Sequence, residues 1–87
     1  MTATVLLIEV AGWIGAASLL TSYVLVSAGR LDSRSTAYQI LNLVGAVGFI
    51  TNGWYHRAYP SVMLNVIWLA ISIVFLLRIV RTPVPPA

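Results

Sequence analysis

"YPSVMLNVIWLAISIVFLLR", residues Tyr59 to Arg78, is a nearly continuous hydrocarbon run interrupted by an amide at Asn65. As a helix, a run of this length rises about 30 Å, the thickness of a bilayer's hydrocarbon. An unpaired primary amide in such a medium costs about 2–7 kcal/mol. What Asn65 faces is therefore the question that the rest of the chain has to answer.

Composition sets the medium. The 87 residues are 60% hydrophobic and 8% charged, with a mean hydropathy of +0.94. Too few charged groups are present to clothe a water-soluble domain this small, so the chain is expected to be an integral membrane protein whose missing partner surface is the lipid bilayer. The net charge of +3 comes from arginines set in ones and twos at the ends of apolar runs. It forms no basic stripe, so nucleic acid is not an expected partner. With no cysteine, neither a disulfide framework nor a thiolate metal site is available.

Two further apolar runs precede the first one quoted. Together they predict an all-α membrane protein of three transmembrane helices, over about residues 5–28, 36–55 and 61–80, in one domain spanning 1–82. The first run has no basic prefix and no cleavage-like site, so it is expected to be retained rather than removed as a signal peptide. Gly29 is placed to end helix 1, a Ser or Thr to cap helix 2, and Pro60 to open helix 3. Such short connections make consecutive helices antiparallel. The residues 83–87 are too proline-rich for a helix and are expected to be a mobile tail.

Arginine placement predicts orientation. Arg30, Arg34, Arg78 and Arg81 fall at one end of the helices and only Arg57 at the other. By the positive-inside rule the chain is multi-pass in the cell's plasma membrane, with its N-terminus outside and its C-terminus cytoplasmic. Trp54, Tyr55 and Tyr59 then form an outer aromatic belt and Tyr38 an inner anchor. Glu9, toward the outer end of its span, is expected to snorkel to the interface, and His56 to be solvated in the outer loop.

Inside the spans the polar and small residues are ordered. Gln39, Asn42, Gly45, Phe49 and Asn52 recur at steps of three and four on helix 2, Ser61, Asn65, Trp68 and Ser72 on helix 3, and Ala11, Gly15, Ser18 and Ser22 on helix 1. Two readings of these stripes stand side by side. In the first they are packing faces, with Gly12, Gly15, Gly45 and Gly48 letting helices approach and amides bonding across the seams. In the second, Asn65, Phe49, Asn52, Trp68 and Asn42 line a cavity for a small neutral solute. No nucleophile–base pair, phosphate loop, paired carboxylate, metal-ligand cluster or cofactor motif accompanies them, so neither an enzyme nor a cofactor is expected.

The stretch "LVGAVGFITNGWYHRAYPSVMLNVIWL", Leu43 to Leu69, resembles the second half of a SemiSWEET, the three-helix bacterial sugar-transporter unit of the PQ-loop superfamily. The shared pattern here is Gly45, Phe49, Gly53, Pro60 and Asn65, and "GWIGAASLLTSYV" from Gly12 is similar in texture. Leu25-Val26 stands where the family has its Pro-Gln pair, and Phe49 where it has a sugar-facing tryptophan. "GRLDSRSTAYQILNLVGA" from Gly29 looks like a PQ-less, functionally unassigned branch. The resemblance implies a three-helix bundle, working as a parallel homodimer around a midplane site for a sugar-like solute. The slender glycine faces, Gly45 among them, are expected to contribute a seam of that assembly. The other function class left open is a non-transporting accessory or scaffolding subunit packed against other membrane chains.

Overall fold

The computed structural model describes residues 2–81, which form three helices, α1 (Ala3–Ser27), α2 (Thr36–Tyr55) and α3 (Tyr59–Arg81). The expected tail at 83–87 lies outside the described residues. α1 and α3 are each long and apolar enough to cross a membrane, whereas α2 does not reach that mark by itself. The expectation of three spans thus holds by length and composition for two helices. The physical reason is that α2 carries the largest set of buried polar and glycine positions, Gln39, Asn42, Gly45, Gly48 and Gly53.

Capping chemistry, rather than the limits of the apolar runs, sets the helix ends. α1 starts two residues before its apolar run because the Thr2 hydroxyl accepts from the Val5 amide at 3.2 Å. It ends in a Schellman motif, in which Arg30 N–H reaches Leu25 O at 2.9 Å and Gly29 N–H reaches Val26 O at 3.1 Å, with Gly29 at φ 72°. Ser35 caps α2 by accepting from the Tyr38 amide at 3.2 Å. The same 6→1 and 5→2 pairing closes α2, from Ala58 to Gly53 at 2.8 Å and from Arg57 to Trp54 at 3.2 Å. There the left-handed position, φ 57°, is held by Arg57 instead of a glycine. α3 begins at Tyr59, and Pro60 sits in its first turn, where a missing N–H leaves no gap.

α2 is the middle helix. It packs along α1 on one side and α3 on the other, while α1 and α3 make no backbone approach to each other among the described residues. Both pairs are antiparallel: Asn52 meets Ile8 while Gly45 meets Gly15, and Gly53 meets Val62 while Asn42 meets Trp68.

The α1–α2 seam is made by glycines. A Cβ on Gly15 would stand 2.8 Å from the Gly45 carbonyl, and one on Gly48 would collide with the carbonyl of Ala11. A Cβ on Gly45 would meet Leu19 at 2.5 Å, and one on Gly12 would meet the Asn52 amide at 2.6 Å. All four glycines are therefore taken up inside one chain. They serve here as helix-packing positions, with backbone against backbone at Gly15 and Gly48 and with the side chains of Leu19 and Asn52 over Gly45 and Gly12.

Burial is inverted relative to a water-soluble domain. The buried apolar side chains are Ala46 and Val62, whereas Ser22, Gln39, Asn42, Asn65 and Ser72 are all buried. Leu7, Trp13, Leu20, Met63, Leu64 and Val80 are more than half exposed.

Candidate functional site

Because α1 and α3 flank α2 without meeting, a groove of about 440 Å³ runs between them with α2 as its floor. Leu19, Ser22 and Tyr23 form one wall, Asn65 and Trp68 the other, and Asn42 lies at the base. Asn65 is buried because it points inward from α3, where its amide N–H donates to the Ser61 carbonyl one turn back at 2.8 Å. That bond uses the donor side. Among the described residues no donor reaches its Oδ1, and no fully enclosed polar atom lacks a partner, so this oxygen opens on the groove.

The other polar groups of the groove are more fully engaged. Trp68 Nε1–H donates to Asn42 Oδ1 at 2.9 Å, and Asn42 Nδ2 donates to the Tyr38 carbonyl at 2.8 Å. Ser22 returns its hydroxyl proton to the Leu19 carbonyl at 2.8 Å. Asn42, Trp68 and Tyr38 also line a recess of about 370 Å³ on the side of Gln39, Ser72 and Phe75, so the Trp68–Asn42 bond stands between the two hollows.

Phe49 and Asn52 are elsewhere. They line a separate recess of about 250 Å³ with Glu9, Gly12, Trp13 and Ala16, toward the beginning of α1. The five residues grouped by their spacing as one solute site thus divide into Asn42, Asn65 and Trp68 in the groove and Phe49 and Asn52 in the recess. Periodicity put Asn42 and Asn52 on one side of α2, but about 15 Å of helix separates them. Asn52 leans over α1, where its Nδ2 donates to the Ile8 carbonyl at 3.2 Å.

One pairing was not visible in the sequence. Glu9 and His56, each expected to be solvated alone, meet at 2.6 Å between Oε1 and Nε2. Tyr55 braces the imidazole edge-on with ring centroids 5.1 Å apart. The two positions are 47 residues apart in the chain, and only the antiparallel return of α2 brings them together. Trp54 and Tyr59, expected as belt residues, pack edge to face at 5.7 Å across the same corner.

A protein-family model matches residues 8–83, and the family that it describes is uncharacterised. No curated protein and no solved structure matches the chain.

Proposed function

The chain belongs to that uncharacterised family, and we propose that it is a three-span membrane protein that carries a small neutral, sugar-like solute as a parallel homodimer. The observation that carries this reading is the free carbonyl oxygen of buried Asn65 on the wall of a groove left open along one side. An uncharged hydroxylated solute can donate to that oxygen and lay an apolar face on Trp68. The groove wall formed by Ser22, Asn42, Asn65 and Trp68 carries no formal charge. A second copy would cover the open side, which fits a site completed only by association.

The membrane reading rests on α1 and α3 and on the outward display of apolar side chains. We propose α2 as a third span, supported by its antiparallel course along both neighbours and by the shelter that its polar face finds between them. Its 20 residues rise about 30 Å, enough for the same crossing. In this reading the side that carries the arginines of the α1–α2 turn and the end of α3 is the cytoplasmic one, by the positive-inside rule.

A non-transporting accessory subunit is the second reading. It is favoured by the in-chain bonds of Asn42, Trp68 and Asn52 and by Leu19, Tyr23 and Leu64 along the groove, which would suit a partner helix.

Uptake of a panel of neutral solutes into liposomes, for wild type and Asn65→Leu at matched reconstitution, separates the two. Saturable uptake abolished by the substitution supports the carrier. No uptake of any solute by folded wild type leaves the accessory reading.

A further inference from the structure

The recess at the start of α1 has a different chemistry from the groove, and we propose that it is a binding site for a small organic ammonium group. Its walls are Glu9, Trp13, Phe49 and Asn52, over a floor that Gly12 and Ala16 keep shallow. The inference does not rest on the carrier reading, since neither Asn65 nor the groove takes part.

Three features fit an ammonium. First, two oxygens are left with acceptor capacity. His56 engages Glu9 through Oε1, and Asn52 uses its Nδ2 on the Ile8 carbonyl, so among the described residues Glu9 Oε2 and Asn52 Oδ1 have no donor. Second, Trp13 and Phe49 line the same recess as Glu9, and aromatic faces attract a cation through the ring quadrupole, most strongly for Trp. Third, Glu9 is the lone acid of the helices, no arginine is among the lining residues, and the one basic group on its carboxylate, His56, engages the other oxygen.

A metal ion fits poorly. Among the described residues no cluster of three His, Cys, Asp or Glu side chains exists, and a hard divalent ion takes six or more oxygen ligands. An organic ammonium asks for less, namely one anionic oxygen, a neutral acceptor and apolar or aromatic walls.

Gly12 explains why the site can form here. A Cβ at this position would meet the Asn52 amide at 2.6 Å, so any larger residue would displace Asn52 from its seat above α1. Partly exposed Glu9 and largely exposed Trp13 keep the recess open to an approaching ligand.

An ammonium group can reach the recess as a free solute or as the headgroup of a lipid. The test uses the full chain in nanodiscs of phosphatidylglycerol, which has no ammonium, and measures radiolabelled choline by scintillation proximity. The expected result is saturable binding, displaced by tetramethylammonium but not by the neutral alcohol in which carbon replaces the quaternary nitrogen. Glu9→Gln should weaken binding by roughly tenfold or more, the loss of one charge-assisted contact. Trp13→Leu, at an exposed position, should weaken it by about threefold or more, and Asn65→Leu should leave it unchanged. Repeating the titration with phosphatidylcholine in the disc identifies the source: suppressed choline binding means that the headgroup occupies the site, and undiminished binding means a free solute does. Absence of saturable binding by folded wild type in phosphatidylglycerol would overturn the proposal. So would equal competition by the neutral alcohol, or wild-type affinity in both Glu9→Gln and Trp13→Leu.

Discussion

Trp68 and Asn42 join α3 to α2 through an indole N–H that donates to the amide oxygen at 2.9 Å, the one side-chain bond between these helices among the described residues. Asn42 is nearly fully buried, so its oxygen has no other donor to turn to if the indole is removed. Trp68→Phe keeps most of the ring and should lower stability by about 1 kcal/mol. A double-mutant cycle with Asn42→Leu, followed by unfolding in a denaturing detergent, should return a coupling of about 0.6–1.7 kcal/mol. A coupling of zero would mean that the bond adds nothing beyond packing.

The glycine seam predicts an order of costs. Gly48→Ala drives a methyl into the Ala11 carbonyl and Gly15→Ala drives one against Gly45, so each should destabilise by about 1–3 kcal/mol. Gly29→Ala meets open space and suffers only from its positive φ, at about 1–2 kcal/mol. Gly45→Leu should lose the folded monomer and not merely an association between copies. Detergent unfolding midpoints, together with elution profiles, check both statements.

Arg57 occupies a left-handed position at the end of α2. Arg57→Gly should therefore raise stability by about 1 kcal/mol, because glycine adopts this conformation without the Cβ clash. A rise in the unfolding midpoint is the expected result, and a fall would show that the arginine head contributes more than its backbone costs.

The Glu9–His56 pair is short but its side chains are 36% and 48% exposed. Screening leaves such pairs worth little, so Glu9→Gln should change stability by less than about 1 kcal/mol. Thermal unfolding of the variant should nearly overlay the wild type, and this also makes Glu9→Gln a usable probe of the recess.

The arginines predict a topology. A reporter fused after Ala87 should read cytoplasmic and one before Met1 external, since Arg30, Arg34, Arg78 and Arg81 gather at one end of the helices and Arg57 stands alone at the other. Opposite readings from both fusions would reverse the orientation.

Much of the local structure was legible in the residue order. Apolar runs of the right length, Ser35 before α2, Gly29 after α1 and Pro60 at the start of α3 each act through their own backbone or that of residues a turn away. Spacing at three and four also identified which side of each helix is polar, because angular position on a helix depends only on residue number. That is why Gln39, Asn42, Asn65 and Ser72 were recognisable before their burial was.

The tertiary structure decided what those sides meet. Periodicity carries no information about depth along an axis or about the identity of the neighbour, so it could not separate Phe49 and Asn52 from Asn42, Asn65 and Trp68. It also could not show that α1 and α2 take up Gly12, Gly15, Gly45 and Gly48 between themselves, or that Glu9 finds His56. Those outcomes depend on the order of helices across the layer. With α2 in the middle, its slender face admits α1, its amide meets Trp68 of α3, and the outer helices are held apart. The groove on which Asn65 opens exists because of that separation.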